Sequence, residues 1–269
     1  MDMAATGPAG IVVLDGGMGM ELTRRSKAEK AVPLWSAQVM MDEPELVTAV
    51  HSDFVAAGAD VITLNTYSAT PRRLLRNGYE DLTDRLQGEA VRLAQAAVAG
   101  VERPVRLAGS LPPLEMSYRP ERVPSYPVAL EEFRRLAALQ APHVSMIIAE
   151  TMSTISEGVA ATAAIVETGC PAWTAFSVDD VEGTRLRSGE PLAAAFAASR
   201  AAGAEALLVN CSSPILLKNN VLRRDRSCSQ RAPNSPSRCC GKAFGHLAEV
   251  LGGGGEGELV FGAVWSSQA

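Results

Sequence analysis

Cysteines and carboxylates are the residues of this 269-residue chain whose types and spacing could do chemistry. Three of the five cysteines, Cys228, Cys239 and Cys240, lie close to the C-terminal end. This clustering indicates either metal ligation or an unusual tail, because grouped thiolates are common zinc ligands. The three histidines are too widely spaced to form an HxH or HExxH motif, so a histidine-based zinc hydrolase is disfavoured.

Polar residues also follow each apolar run that is predicted to be a strand. They include carboxylates, hydroxyls, an amide and a thiol, and the set is Asp15, Asn65, Thr66, Tyr67, Ser110, Glu150, Thr151, Asp179, Asp180 and Cys211. In a parallel barrel these positions lie at the rim formed by the carboxyl ends of the strands, where barrel enzymes keep their sites. A single such residue could merely mark the end of a strand. A thiol, acids and an Asn-Thr pair at one rim indicate a functional site.

The elements that must position these residues alternate between strands and helices. Apolar runs rich in Val, Ile and Leu predict strands buried on both faces, and they cover residues 11–15, 60–64, 105–108, 144–149, 172–177 and 206–210. Helical patterns separate these runs at residues 43–57, 79–99, 129–140, 156–168 and 190–202. This order predicts right-handed βαβ units around a parallel sheet.

The last part of the chain differs from the rest. A closed (β/α)8 barrel needs eight strand–helix units, and the pattern supplies six. Residues 218–242 are basic and aperiodic, which favours a solvated, partly disordered segment over a surface for an anionic partner. A helix-like stretch at 243–251, a run of glycines and a strand-like run at 259–265 follow. We therefore expect an α/β fold of the TIM-barrel type over residues 1–214 and an irregular C-terminal segment over residues 215–269.

Composition excludes several classes of protein. Hydrophobic residues make up 47% and charged residues 20% of the chain, which excludes disorder for the bulk of it. The formal net charge of −5 and the aromatic content of 5% disfavour a nucleic-acid partner. No apolar run approaches the length of a membrane span, and the N-terminus lacks the pattern of a signal peptide. An odd, low number of cysteines fits reduced thiols, so we expect a cytoplasmic protein with no membrane partner.

Six segments together resemble the homocysteine S-methyltransferase family. They occur in one order between residues 11 and 214, and they read DGGMGMEL, PLWSA, EPELVTAVHSDFVAAGADVITLNTYSAT, AGSLPPLEMSYRP, AETMS and LLVNCSSP. The Trp-Ser-Ala, Asn-Thr-Tyr and Val-Asn-Cys blocks are specific as a set, although each alone is a weak signal. The resemblance implies a (β/α)8 barrel that moves a methyl group from a sulfonium or ammonium donor to the zinc-bound thiol of homocysteine.

The resemblance also implies that Cys211 is the first zinc ligand and that Glu150 receives the amino group of homocysteine; these two are the catalytic candidates. Only a thiolate attacks a methyl group, and zinc deprotonates a thiol whose ordinary pKa is about 8.5. A carboxylate beside an ammonium makes a charge-assisted contact. The alternatives are a small buried apolar role for Cys211 and a buried salt bridge from Glu150 to a neighbouring Lys or Arg.

Five more residues are substrate-binding candidates beside Glu150. By resemblance Asp15 has a task similar to that of Glu150, although it could instead cap the turn before the next helix. Gly16 and Gly17 allow close approach of the backbone to a ligand. Thr66 and Ser110 could hydrogen-bond the ligand or merely cap the ends of strands.

The C-terminal part departs from the family pattern, in which a Gly-Gly-Cys-Cys-Gly block supplies the other two zinc thiolates. Here the adjacent pair is Cys239–Cys240, and Ser237 and Arg238 stand where two glycines are expected. The interval from Cys211 to Cys239 is too short for two further strands and their helices. Either the pair still completes a three-thiolate zinc site on a shortened scaffold, or the tail is foreign sequence and the pair is coincidental.

We therefore expect a zinc-dependent homocysteine S-methyltransferase that forms methionine and whose partners are small molecules. The donor is expected to be a sulfonium compound, S-methylmethionine or S-adenosylmethionine, although betaine also fits the family. One alternative is a non-catalytic barrel remnant without a complete zinc site. Another is a metal-free barrel enzyme in which Glu150 acts as acid and base. The sequence does not predict the oligomeric state.

Overall fold

The apolar runs form the strands of a barrel in the computed structural model, which describes residues 11–27, 34–213, 246–249 and 259–262. In the central strands almost every side chain is buried, because helices cover one face and the barrel interior the other. The strands are β1 (Ile11–Val13), β2 (Val61–Thr63), β3 (Arg106–Leu111), β4 (Met146–Met152), β5 (Ala172–Phe176), β6 (Ala206–Val209), β7 (His246–Glu249) and β8 (Leu259–Gly262).

Helices connect the strands and form the outer layer. The α-helices are α1 (Met18–Arg25), α2 (Trp35–Asp42), α3 (Pro44–Ala56), α4 (Pro71–Leu75), α5 (Thr83–Val98), α6 (Tyr126–Gln140), α7 (Ile155–Glu167) and α8 (Leu192–Ala201). Short 3-10 turns lie at Glu80–Leu82, Pro120–Arg122 and Ala141–His143. Pro44 begins α3 and Gly58 follows its end at φ +104°, a backbone conformation that favours glycine.

The strands follow one another around a ring. Strands β2 to β6 form a parallel sheet in chain order, and β1 joins β2 through a parallel bridge between Leu14 and Val61. Strand β8 pairs in parallel with β1, whereas β7 pairs antiparallel with β8 and lies beside β6. Among the described residues no hydrogen-bonded ladder links β6 to β7, so the ring has a seam there.

Among the described residues, side chains from the strands fill the barrel interior, and Leu14 after β1 packs against them. This inner cluster consists of Val12, Val61, Ala108, Met146, Ile148, Trp173, Ala175, Ala206 and Leu208. Two larger clusters pack the helices onto the outer face, one around α3 and α5 and the other around α6 and α7. The interior is therefore a packed core, as in other parallel barrels, and a ligand must bind at one of its ends.

The structure confirms the barrel class, the six predicted strands and the five predicted helices between them; a helix after β6 would lie outside the described residues. Strands β3 and β4 are longer than predicted, so Ser110 and Glu150 lie within the strand ends and not after them. The helix predicted at 243–251 is wrong, because residues 246–249 form β7 and give β8 a second hydrogen-bonded neighbour. Helices α1, α2 and α4 were not predicted. The division of the chain at residue 214 stays a prediction.

Within the described ranges, no helix has the length and apolar character needed to cross a membrane.

Candidate active site

Three chemically active side chains from distant parts of the sequence meet at the rim, the end of the barrel where strands β1 to β6 finish. Asp15 follows β1, Glu150 lies near the end of β4, and Cys211 follows β6. The carboxylate of Glu150 contributes to raising the pKa of both Asp15 and Cys211. These three groups therefore share one electrostatic environment, as expected from their positions after parallel strands.

Glu150 is held by Ser110 from the neighbouring strand. The Ser110 hydroxyl donates to Glu150 Oε1, while the Ser110 amide donates to Oε1 of Gln140 on α6 at 2.8 Å. Gln140 Nε2 donates in turn to the Ser110 carbonyl at 3.0 Å. Burial raises the pKa of Glu150, and the Ser110 bond opposes that rise. No arginine or lysine pairs with Glu150 within the described residues, so the salt-bridge alternative is not found there.

Asp15 connects β1 to β2. Its Oδ2 accepts the amide of Thr63 and its Oδ1 accepts the Thr63 hydroxyl, both at 2.8 Å. It does not cap helix α1, which begins after Gly17 without a side-chain cap. Burial raises the pKa of Asp15 to about 7; the Thr63 bonds oppose this rise and the nearby Glu150 adds to it. A bound ammonium would stabilise the ionised form.

The other predicted binding residues make internal contacts. A Cβ on Gly16 would lie 2.6 Å from the Phe54 ring, so this close approach of α3 requires glycine. The carbonyl of Gly17 accepts the first amides of α1. The Thr66 hydroxyl donates to the Ser110 carbonyl at 3.0 Å. Contact of these residues with a substrate stays a prediction.

Cys211 sits on an unusual piece of backbone. Its φ is +48° and that of Thr151 is +64°, which is uncommon for residues other than glycine. The Asn210 side chain joins the two segments, since its Oδ1 accepts the Thr151 amide at 2.9 Å. The Thr151 hydroxyl donates to Cys211 Sγ at 3.3 Å. Burial raises the pKa of Cys211 to about 11, the Thr151 bond opposes the rise and Glu150 adds to it.

Two tyrosines lie next to this thiol. The Tyr118 hydroxyl lies close enough to Cys211 to oppose the rise in the pKa of the thiol, and the guanidinium carbon of Arg187 lies 4.9 Å from the centre of the Tyr118 ring. Arg73 covers the Tyr67 ring in the same way at 5.2 Å. Burial is the main cause that raises the pKa of both tyrosines, so their hydroxyls are neutral at physiological pH.

Sequence reasoning missed the supporting roles of four residues at this rim. Asn210 could have been found, because it directly precedes Cys211 in the LLVNCSSP segment. Thr151 was noted as following a strand, but its bond to the thiol depends on a left-handed backbone that the sequence does not reveal. Tyr118 and Arg187 lie in loops, where no hydrophobic periodicity indicates which way a side chain points.

Cys211 is the best candidate for a metal ligand in the described part of the chain. No group of three His, Cys, Asp or Glu side chains there could hold a metal by itself. Cys239 and Cys240 lie outside the described residues. The chemistry of Cys211 fits a soft metal, because a buried thiol with a raised pKa needs a cation beside it to ionise.

The comparison with protein families shows which family the chain belongs to. The family described as homocysteine S-methyltransferase matches residues 12–241. The chain belongs to this family. The match runs past the end of β6 and includes both Cys239 and Cys240.

Similar proteins carry the same description. Homocysteine S-methyltransferase from Escherichia coli is 32% identical over 199 residues, which cover 68% of this chain and 63% of that enzyme. Homocysteine S-methyltransferase 4 from Zea mays is 28% identical over 237 residues, 79% of this chain and 68% of that protein. The metallated form of the E. coli homocysteine methyltransferase MmuM superposes with a TM-score of 0.68 at 28% identity and covers 77% of this chain and 76% of that one. This chain thus spans about two thirds of the length of such family members.

Proposed function

We propose that this chain is a homocysteine S-methyltransferase that transfers a methyl group from a sulfonium donor to the thiol of homocysteine and yields methionine, with zinc as its metal. The observation that carries the proposal is the convergence of Cys211, Glu150 and Asp15 at one rim of a barrel of this family. A thiol site and an ammonium site side by side suit an amino acid that carries its own thiol.

The two carboxylates would bind the ammonium group of homocysteine. Each has a raised pKa because it is buried, so the ionised form of each carboxyl is destabilised when no cation lies beside it. An ammonium placed between them would supply the missing positive charge and form charge-assisted hydrogen bonds. Ser110 and Thr63 hold the two carboxylates in place from the neighbouring strands, which orients the acceptor before reaction.

Cys239 and Cys240 would join Cys211 as the metal ligands. Strand β6 ends at the rim, so residue 213, the last described residue before stretch 214–245, follows that end. Strand β7 begins at the rim as well, because it is antiparallel to β8 and His246 pairs with Gly262, the last residue of β8. Cys240 precedes His246 by only six positions, and six extended residues reach about 20 Å. This topology supports a three-thiolate site on a shortened scaffold.

Zinc held by three thiolates would supply an open coordination position and lower the pKa of the acceptor thiol. The chain's own residues align the acceptor so that its sulfur faces the donor methyl group. A sulfur–carbon bond forms to homocysteine while the donor's sulfur–methyl bond breaks, and the departing electron pair leaves a neutral thioether. A sulfonium is the better donor because a thioether leaves more readily than an amine. The cytoplasmic location and the restriction to small-molecule partners stay predictions.

The experiment compares Cys211→Ser with Cys170→Ser as the matched control. Cys170 lies before β5 at the opposite end of the barrel, where its thiol donates to the carbonyl of Ala141 at 3.7 Å and the residue packs against the outer core. Zinc content per chain and transfer from S-methylmethionine to homocysteine are measured for both variants. We expect Cys211→Ser to lose bound zinc and activity and Cys170→Ser to keep both. A wild-type chain that binds no zinc and transfers no methyl group would instead support a non-catalytic remnant.

A further inference from the structure

Three polar side chains form a connected group around Tyr67, which follows β2 at the rim. The Tyr67 hydroxyl lies 2.6 Å from the hydroxyl oxygen of Ser117. Arg73, on α4, donates through Nη2 to the same Ser117 oxygen at 3.3 Å and to the carbonyl of Pro113 at 3.2 Å. Its guanidinium carbon lies 5.2 Å from the centre of the Tyr67 ring. Arg73 thus contacts the ring of the tyrosine directly and its hydroxyl through Ser117.

The surroundings of Arg73 are unfavourable for a cation. The side chain is half-buried, and among the described residues its hydrogen-bond partners are neutral and its Nε has no acceptor. The carboxylate of Glu157 interacts with it from beyond ion-pair distance and accepts the amide of Ser153 at 3.0 Å. A buried charge without an ion pair lowers stability, so this arginine at the rim indicates a role other than stabilisation.

The charge of Arg73 sets the direction of the hydrogen bonds in this group. A guanidinium has only donors, so the Ser117 oxygen accepts from Arg73. The Ser117 proton is then available for the Tyr67 oxygen, and hydrogen bonds that follow one another in the same direction strengthen each other. The opposite order would point the Tyr67 proton towards the cation. In the favoured order Tyr67 accepts from Ser117, and its own proton is left for another acceptor.

Tyr67 lies next to the candidate active site. Its neighbour Thr66 donates to the Ser110 carbonyl at 3.0 Å, and the Ser110 hydroxyl donates to the Glu150 carboxylate. Burial is the main cause that raises the pKa of Tyr67, and the nearby Cys211 and Glu150 add to the rise. The hydroxyl therefore keeps its proton at neutral pH and can serve there as a hydrogen-bond donor.

We propose that Arg73 is a positioning residue that directs the Tyr67 hydroxyl, through Ser117, as a donor to the carboxylate of an amino-acid substrate. This inference rests on the proposed function for the identity of the substrate. The carboxylate is the hydrogen-bond acceptor that homocysteine and S-methylmethionine share. The acids Asp15 and Glu150 suit the ammonium end of such a molecule, and a neutral donor suits its other end.

The test is a double-mutant cycle of Arg73→Gln and Tyr67→Phe, with transfer from S-methylmethionine to homocysteine as the readout. Each substitution should lower kcat/KM by about 10-fold or more, as expected for a lost hydrogen bond to a charged group. The double variant should be no slower than Tyr67→Phe alone, because both changes remove the same interaction. Arg73→Lys keeps the charge and should recover part of the rate. Arg85→Gln, at an exposed position on α5, should match the wild type.

Ser117→Ala interrupts the same hydrogen bonds and decides the question if Arg73→Gln does not fold. Carboxylate-free analogues show which substrate is held: 3-aminopropanethiol replaces homocysteine, and the trimethylsulfonium ion replaces S-methylmethionine. The effect of Arg73→Gln should vanish with the analogue of the substrate that Tyr67 contacts and persist with the other. An effect that persists with both analogues, or that adds to the effect of Tyr67→Phe, would overturn the proposal.

Failure of the positioning role and failure of the proposed function give different results. Hydrogen–deuterium exchange of residues 114–118 needs no ligand, and Arg73→Gln should accelerate it because the bonds to Pro113 and Ser117 are lost. A chain that shows this acceleration but transfers no methyl group disproves the proposed function and leaves the contact of Arg73 with Tyr67 standing. Unchanged exchange, or unchanged kinetics in an active Arg73→Gln variant, disproves the positioning role alone.

Discussion

Asp15 shows how one buried carboxyl can serve both the fold and a ligand. It bonds Thr63 through both oxygens and so fixes β1 to β2, yet burial keeps its pKa near 7. An acid with this pKa is only partly ionised at neutral pH. When an ammonium binds, the fraction of Asp15 that is still protonated must lose its proton, so the affinity depends on pH.

We predict that homocysteine binds more tightly as the pH rises from 6 to 8. The ionised form of Asp15 accepts the ammonium, and that form becomes predominant as the pH passes the pKa of about 7. Asp15→Asn should bind about 10-fold more weakly, as expected for loss of a charged partner, and should lose this pH dependence. Asp84→Asn, at an exposed site on α5, is the control. Calorimetric titration at several pH values measures the effect, and a flat wild-type profile would contradict the prediction.

The sequence indicated the principal rim residues because their positions depend only on where strands end. Asp15, Glu150 and Cys211 each follow or finish an apolar run, and parallel strands bring such ends together. The loop residues Tyr118 and Arg187 were not predicted, because their placement depends on tertiary contacts between loops. Strand length also matters: Ser110 reaches Glu150 because β3 and β4 continue beyond their apolar runs.

At the scale of elements, two helical glycines have opposite roles. Gly158 on α7 faces the buried Phe176 ring, and a Cβ there would lie 2.5 Å from a ring carbon. Gly88 on α5 faces open space, with no neighbouring atom within 4 Å of a Cβ. The first glycine lets a helix pack closely on the sheet, and the second only weakens its helix.

We predict that Gly158→Ala destabilises the chain and Gly88→Ala stabilises it. The first substitution forces α7 away from β5 and should lower the free energy of unfolding by about 1–3 kcal/mol, as overpacking does. The second should raise it by up to about 1 kcal/mol because alanine restricts the unfolded chain. Urea unfolding followed by circular dichroism measures both. Equal effects of the two substitutions would mean that the contact with Phe176 is relieved elsewhere.

The elements that alternate regularly were predictable, and the last strand pair was not. Helices α3, α5, α6, α7 and α8 follow from their apolar stripes and their proline and glycine boundaries. Residues 243–251 have a helix-like sequence pattern, but residues 246–249 pair with β8 and therefore form strand β7. The direction of such a strand depends on which sheet edge has unpaired backbone groups, and the local sequence does not indicate this.

At the scale of the whole molecule, a buried histidine sets a limit on stability in acid. His51 on α3 is fully buried, and neither ring nitrogen has a hydrogen-bond partner among the described residues. Burial lowers its pKa from 6.5 to about 3. Between about pH 6.5 and pH 3 the unfolded chain binds a proton at this histidine and the folded chain does not. The fold therefore keeps its full stability above pH 6.5 and loses part of it as the pH falls from about 6.5 to 3.

We predict that His51→Leu resists acid unfolding better than the wild type. The shift in pKa corresponds to roughly 4 kcal/mol lost between neutral pH and pH 3, and leucine removes the group that must charge. His143→Leu, at an exposed position, is the control and should follow the wild type. Acid unfolding followed by tryptophan fluorescence gives the midpoints. Coincident curves for the wild type and His51→Leu would show that other groups govern the transition.

The antiparallel direction of β7 also gives the two ends of the barrel different uses for protein engineering. Glu249 pairs with Leu259 at the end of the barrel away from Cys211, so the two residues that the glycine-rich connection 250–258 joins lie at the end opposite to the candidate site. We expect that a fluorescent reporter or an affinity tag inserted into that connection would not hinder the binding of substrates. The same insertion directly before His246 would be attached at the rim, beside the proposed site.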